Sequence, residues 1–165
     1  MLNRIYLSRI VKNKKSENWD WSGTVNGIGN ALSKYVHVEK LTFHWNYLMY
    51  ARKIMVKIGI LNYDFDLYNI KTANKKIRNL LRNKNIPVIQ FDEFPNIREV
   101  HGYIYQDLSV NYILEMATSS EEEFEYSGFA YIPLDSIKSR ADFQNGFYNN
   151  VCGVFTMSHW LYNYM

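Results

Sequence analysis

The chain has only one cysteine, Cys152, among its 165 residues, so no disulfide can form within it. No apolar run approaches the length needed to cross a bilayer, and Met1 leads into a strand pattern without a secretory signal region. The net charge of +3 is too small to indicate nucleic-acid binding by itself. Together these absences favour a reducing compartment, and we expect a cytoplasmic protein that does not bind nucleic acid.

Several familiar functional motifs are also missing. Gly27-x-Gly29 is followed by Leu32 where the dinucleotide-binding fingerprint needs a third glycine, and no Gly-Lys-Ser/Thr of a Walker loop is present. There is no nucleophile elbow of a Ser-His-Asp hydrolase. The histidines, which show no metal-ligand spacing, are His37, His44, His101 and His159. We therefore expect no metal and no cofactor.

Apolar patterns typical of strands alternate with patterns typical of helices. Strands are predicted at residues 4–8, 36–43, 86–91, 102–105 and 151–156, and helices at 24–35, 45–58, 64–82, 109–116 and 134–149. The polar, lysine-rich residues 9–18 are predicted to form an exposed loop. Because strands and helices alternate, we predict one domain of the α/β class with a Rossmann-like parallel sheet flanked by helices.

A glycine-bearing loop leads from the first predicted strand into the first helix. Thr24 and Asn26 are suited to cap backbone N–H groups there, next to Gly23. In open α/β sheets, ligands bind at the carboxyl end of a strand and the amino end of the following helix. The positive end of the helix favours an anion such as a phosphate. The alternative is that the glycines only make a tight turn.

Polar side chains follow three other predicted strands, namely Gln90 and Glu93, Gln106 and Asp107, and Ser158. In a parallel sheet, all of these ends line the same crevice as the glycine loop. Simpler roles are open as well, because Asp107 and Ser158 can be helix caps and Glu93 an ordinary loop carboxylate. His101 is a further candidate to reach the crevice, whereas Cys152 fits a buried, inert strand position.

The predicted helix at residues 64–82 has a basic face, continued by Lys84. No acidic residue accompanies its cations from Lys71 onward. Such a face is either simply solvated or lies against anionic lipid. Peripheral contact with the inner face of a membrane is therefore one expectation for this helix.

The chain resembles the N-terminal half of GT-B glycosyltransferases, of the retaining class related to glycogen synthases and bacterial sugar transferases. The resemblance covers nearly the whole chain. The matching segments are Trp21 to Thr24 after a strand, Pro87 to Pro95, Tyr103 to Ser109, and Gly153 to Leu161. Where the family often has His-Asp at the end of a middle strand, this chain has Gln106 and Asp107.

The resemblance implies that residues 1–165 are the acceptor-side domain of a two-domain enzyme. The donor-binding domain, with the main catalytic residues, is absent from this chain, so we expect a further domain to follow and the catalytic residues here stay unknown. The full enzyme would transfer a sugar from a nucleotide-sugar to a saccharide or lipid-linked acceptor, as in polysaccharide biosynthesis. Implied donor-phosphate and acceptor contacts are Ser22, Gly23, Thr24, Gln90, Glu93, Gln106, Asp107 and Ser158.

Two other functions fit the same sequence. One is a stand-alone Rossmann-like binding module without catalytic activity. The other is a small nucleotide-using enzyme of a different kind. Transfer of sugar by this chain alone at an ordinary enzymatic rate would contradict the two-domain interpretation.

Overall fold

A computed structural model of the chain describes residues 3–11, 23–61, 65–82, 85–91 and 101–164. Strands and helices alternate in these residues, so the predicted α/β class is confirmed. The elements are β1 (Arg4–Val11), α1 (Thr24–Leu32), β2 (His37–His44), α2 (Tyr47–Lys57), α3 (Phe65–Leu81), β3 (Val88–Gln90), β4 (Gly102–Gln106), α4 (Val110–Ser119), α5 (Glu121–Tyr126), α6 (Leu134–Tyr148), β5 (Gly153–Thr156) and α7 (His159–Tyr162).

The five strands form one parallel sheet in the order β2-β1-β3-β4-β5. From β1 the chain first moves to β2 on one side and then returns to β3 on the other side of β1. The strand order therefore reverses between β1 and β3. In doubly wound sheets this switch point opens a crevice at the carboxyl ends of the two strands, which is the usual place for a ligand.

The two faces of the sheet have separate cores, because side chains alternate along each strand. On one face, called the α3 face, Tyr6 and Val88 pack against α3 through Ala73, Ile77 and Leu81. On the other, called the α1 face, the buried residues are Ile5, Leu7 and Ile89, and Leu32 of α1 packs against them. Strand residues thus face one helix layer or the other by their position in the alternation.

Helix α1 meets β1 at Gly29, which lies over the side chain of Leu7. A Cβ atom added to Gly29 would lie 3.2 Å from Leu7 Cδ1, which is tighter than an ordinary van der Waals contact. Glycine at this position therefore lets the helix approach the strand. The contact also fixes the height of α1 along β1, with Gly29 above Leu7.

Helices α4, α5 and α6 share a third apolar cluster beside the sheet. Its buried residues are Val110, Ile113, Ile132, Ile137 and Ala141. Polar contacts join α4 to α6, because the Val110 N–H donates to the buried Gln144 Oε1 at 2.8 Å and Asn111 Nδ2 donates to Asn145 Oδ1 at 2.8 Å. These contacts hold the start of α4 just beyond the carboxyl end of β4.

Two predictions about individual positions were wrong. Residues 9–11 of the predicted loop belong to β1, because Ile10 and Val11 continue the apolar run and β1 pairs with β2 as far as Val11. Residues 12–18 of that loop lie outside the described residues. Arg9 is buried rather than exposed. Cys152 is exposed, because it precedes β5 instead of belonging to it.

Candidate ligand-binding site

The carboxyl ends of β1, β3 and β4 meet at the edge of the sheet that contains the switch point. Gln90 is the last residue of β3 and Gln106 the last of β4, so both lie at this edge. Gly23 and Thr24 begin the helix that follows β1. Ser22 and Glu93 lie outside the described residues. The fold therefore brings Gly23, Thr24, Gln90 and Gln106 to one edge of the sheet. Their contact with a ligand stays a prediction.

Ser158 is placed further from the switch point. It follows β5, which is separated from β1 by β3 and β4. At a strand spacing of about 4.8 Å, the β1–β5 separation is roughly 14 Å. Ser158 Oγ accepts a hydrogen bond from the Leu161 N–H at 3.2 Å and so caps α7. The structure therefore gives Ser158 a capping role and does not bring it to Gly23.

Gln106 and Asp107 belong to the turn that starts α4. Gln106 Nε2 donates to the Leu108 carbonyl, so this buried amide is used to hold the turn. Asp107 is exposed and does not cap the helix. The cap is Ser109, whose Oγ accepts from the Asn111 N–H at 3.2 Å and donates to the Tyr164 carbonyl at 2.8 Å. Of these residues, only Asp107 presents its side chain to solvent.

The amino end of α1 has two features that suit an anion. Gly23 is the N-cap residue and has φ 71, a left-handed conformation that favours glycine. The first turn contains no acidic residue, and Gly23 supplies no side-chain cap. The positive end of the helix dipole is thus not offset by a carboxylate of its own helix.

The geometry of β1 and α1 places Arg9 beneath this first turn. It is on the α1 face, because it alternates with Ile5 and Leu7 along β1. Two residues beyond Leu7, it lies about 6.6 Å further along β1. Helix α1 runs in the direction opposite to β1, and about four helical residues span the same distance of about 6.6 Å. The helix residue at the height of Arg9 is therefore Val25, four residues before Gly29. The guanidinium is always protonated, so a buried positive charge lies at the amino end of α1.

Lys40 adds a second cation on the same face. It is the register partner of Leu7 on β2, and its Nζ donates to Asn26 Oδ1 at 2.8 Å. Arg9 and Lys40 therefore flank the first turn of α1 from β1 and β2. Sequence reasoning did not select either residue. The burial of Arg9 could have been predicted from the apolar pair Ile10 and Val11, which extends the β1 pattern past Arg9.

A buried polar pair lies at the switch point on the opposite, α3 face. Ser8 and Gln90 are register partners on β1 and β3, and both are fully buried. Among the described residues, Ser8 Oγ, Gln90 Oε1 and Gln90 Nε2 have no hydrogen-bond partner. Each buried polar group left in this state costs about 1–3 kcal/mol. By contrast, the buried amide of Gln144 accepts a hydrogen bond from Val110.

A separate groove of about 550 Å³ lies on the α1 face, toward the amino ends of β3 and β4. Its wall includes Asn85, Pro87 and His101, which precede those strands. The groove is mostly apolar, with further lining from Ile5, Leu32, Ile89, Tyr103 and Phe155. It therefore opens at the end of the sheet opposite to the switch-point crevice.

His101 belongs to this amino end, so the structure does not bring this candidate to the crevice. It immediately precedes β4, whereas the crevice lies beyond the last residue of that strand. Its Nδ1 is 3.9 Å from the exposed Cys152 Sγ, which precedes β5 in the same way. The short strand β4 separates the histidine from Gln106.

The chain terminus contributes an aromatic cluster near α4. The ring of Tyr112 makes edge contacts with Trp160 and Tyr164, at centroid distances of 4.5 and 5.1 Å. Burial, and then the nearby Glu115 and Tyr112, raise the pKa of the Tyr164 phenol above its usual value. Tyr164 thus stays protonated at neutral pH and acts here as an aromatic contact.

Two classes of site receive no support from the described residues. No cluster of three or more His, Cys, Asp or Glu side chains in that part of the chain could hold a metal ion. None of the described helices is long and apolar enough to cross a bilayer. Comparison with family models, curated proteins and solved structures gave no significant match.

Proposed function

We propose that this domain binds the diphosphate of a nucleotide-sugar at the amino end of α1, as the acceptor-side domain of a retaining glycosyltransferase. The observation that carries the proposal is the burial of Arg9 on β1, which strand and helix geometry place beneath the first turn of α1. A helix end and a guanidinium both attract an anion, and a diphosphate offers oxygens to each. Gly23 and Thr24 would line the same anion, with Ser22 preceding them in the sequence.

The charges at this site match the chemistry of sugar transfer. As the bond between the sugar and the diphosphate breaks, negative charge develops on the leaving phosphate oxygen. Fixed positive groups that already face this oxygen stabilise the transition state without having to reorganise. Arg9, Lys40 and the end of α1 would supply these groups. The attacking acceptor would be held by this domain, and the main catalytic residues would meet the sugar from the second domain of the enzyme.

The Ser8–Gln90 pair supports a polar part of the ligand on the α3 face, on the other side of the sheet from Arg9. A carboxamide can donate two hydrogen bonds and accept two, and a hydroxyl can do both. Sugar hydroxyls have the same mixed capacity, so they are suitable partners for the three unsatisfied atoms. Asp107 and, in the sequence, Glu93 would hold further hydroxyls of the acceptor. The proposal includes a cytoplasmic location at the inner face of the membrane.

The test is an NMR titration of the isotope-labelled chain, first with a uridine diphosphate sugar and then with a guanosine diphosphate sugar. Changes in the backbone amide chemical shifts report binding. We expect shifts at Gly23, Thr24 and Arg9. Arg9→Gln should weaken binding by about 10- to 100-fold, because hydrogen bonds to charged groups contribute about 1.5–3 kcal/mol. Circular dichroism checks that the variant is folded, and Arg9→Lys keeps the charge.

The matched control is Arg4→Gln, which removes the same charge from the other end of β1. Arg4 is half-exposed and forms an ion pair with Glu39 at 3.8 Å. It should leave nucleotide-sugar affinity unchanged. Equal losses for Arg4→Gln and Arg9→Gln would indicate general charge attraction and contradict the site. A chain that binds the ligand normally but transfers no sugar with any second domain would instead be the stand-alone binding module.

A further inference from the structure

Helix α2 and the turn after it carry more apolar side chains than the core uses. Met49 is the buried residue of this helix. The exposed large apolar side chains between positions 47 and 60 are Tyr47 (83%), Leu48 (63%), Ile54 (60%), Met55 (36%), Ile58 (61%) and Ile60 (63%). Single exposed apolar residues are common on protein surfaces, but a contiguous group indicates an interaction site.

The exposed residues of α2 form a stripe. At about 100° per residue, Tyr47, Ile54 and Ile58 project away from the buried Met49. Lys57 lies along one edge of this stripe. Lys53 lies nearer to Met49, with its Nζ 5.1 Å from the centroid of the Trp45 ring. Exposed apolar residues bordered by lysines are typical of a helix that lies in the interface of a membrane.

Helix α3 has a basic stripe on its outer side. Its buried residues Ala73, Ile77 and Leu81 face the sheet. The cations that project away from them, and are all exposed, are Lys71, Lys75, Arg78 and Arg82. Residues 67–91 contain no acidic residue, and residues 40–91 contain ten lysines and arginines but only Asp64 and Asp66 as acids. The positive charge of the chain is therefore concentrated in this region.

The two stripes belong to one surface. Met49 of α2 and Ala73 of α3 line the same small space beneath the helices, together with Ile10 and Phe43 of the sheet. The Arg52 guanidinium of α2 stacks on the Tyr68 ring of α3, 4.3 Å from its centroid. Because both helices cover the α3 face of the sheet, their outer sides point away from it together. We call this the α2–α3 surface.

We propose that the α2–α3 surface docks on an anionic lipid bilayer. Ile54, Ile58 and their apolar neighbours would enter the interface, and the cations of α3 would lie over anionic headgroups. Nucleic acid would use the cations but leave the isoleucines exposed. A second copy of the same surface would bring like charges together. Lipid satisfies both stripes. Docking here rests on the membrane location given in the proposed function, and it is independent of the nucleotide-sugar site.

The experiment measures sedimentation of the 165-residue chain with vesicles. We expect binding to equimolar phosphatidylcholine and phosphatidylglycerol, little binding to phosphatidylcholine alone, and weakening by salt. Lys75→Gln/Arg78→Gln should reduce binding about 25-fold, since each cation near the surface contributes about fivefold. Ile54→Ser/Ile58→Ser should reduce it by about tenfold or more, because apolar side chains no longer leave water.

Matched controls come from other surfaces. Lys34→Gln removes an exposed cation after α1, and Tyr126→Ser/Tyr131→Ser removes exposed aromatic rings near α5. Both should bind vesicles as the natural chain does. Cys152→Ser removes the natural thiol, so that an environment-sensitive dye can be attached to a new cysteine at one chosen position. The dye on Ile54→Cys should become more fluorescent with anionic vesicles, whereas the same dye on Tyr126→Cys should not.

Three outcomes would overturn the proposal. The first is no sedimentation of the natural chain with anionic vesicles. The second is unchanged vesicle binding by Ile54→Ser/Ile58→Ser, because attraction by charge alone would also fit a nucleic acid. The third is a dimer in analytical ultracentrifugation that this isoleucine variant converts to a monomer, because the stripe would then be covered by a second copy.

Discussion

Ser8 and Gln90 face each other across β1 and β3, and in the described part of the chain neither side chain has a hydrogen-bond partner. The pair lies at the position where the strand order reverses. A core at this point would be more stable with apolar residues, since the buried amide and hydroxyl lose their contacts with water. Their presence is explained if the fold keeps polar groups ready for a ligand.

We predict that Gln90→Met stabilises the domain. Methionine has a similar size and removes two buried polar atoms without partners, so the free energy of unfolding should rise by about 1–3 kcal/mol. Gln144→Met is the matched control, because the same change leaves the buried Val110 N–H without its acceptor and should lower the free energy by about 1–3 kcal/mol. Urea denaturation measures both. Equal destabilisation by the two variants would show that the Gln90 amide is satisfied in solution.

Two glycines of α1 give a second prediction. Gly27→Ala should raise the free energy of unfolding by about 0.5–1 kcal/mol, because alanine is the better helix former and its Cβ meets nothing within 4 Å. Gly29→Ala gains the same propensity but brings its Cβ to 3.2 Å from Leu7 Cδ1.

The close contact at Gly29 costs about 1–3 kcal/mol of overpacking, so Gly29→Ala should be less stable than Gly27→Ala. Thermal denaturation of the two variants compares them directly. A Gly29→Ala variant as stable as Gly27→Ala would mean that α1 lies further from β1 than the contact with Leu7 indicates. It would also remove the argument that places Arg9 beneath the first turn.

Much of the fold was accessible from sequence because strand and helix patterns alternate clearly. The five strands and the parallel sheet were predicted, although Pro87, which the prediction included in the third strand, precedes β3. Periodicity does not reveal which apolar face of a helix meets the core. The apolar residues of α2 predicted the helix itself but gave no indication that Leu48, Ile54 and Ile58 would be exposed.

The candidate site was less accessible for a related reason. Gln90 and Gln106 both follow apolar strands and look equivalent in sequence. They differ in hydrogen bonding, which depends on their neighbours in the fold. The Gln106 amide donates to the Leu108 carbonyl in the next turn, whereas no described group forms a hydrogen bond with the Gln90 amide. Arg9 was missed because lysines soon follow it, and the pairing of β1 with β2 as far as Val11 decides its burial.

The left-handed Gly23 provides the last prediction. At φ 71, a residue with a Cβ is strained by about 1–2 kcal/mol, so Gly23→Ala should lower the free energy of unfolding by that amount. Gly128 has φ 77 and, like Gly23, has nothing within 4 Å of an added Cβ. Gly128→Ala should therefore lose similar stability, and it serves as the matched control.

The two variants should differ in nucleotide-sugar binding. Gly23→Ala changes the start of α1, where the proposed diphosphate lies, whereas Gly128 follows α5 at a distance from the switch point. We expect calorimetric titration to show about tenfold weaker binding for Gly23→Ala, since a displaced hydrogen bond to a charged group contributes about 1.5–3 kcal/mol. Gly128→Ala should bind normally. The phosphate assignment for this glycine fails if both variants keep the affinity of the natural chain.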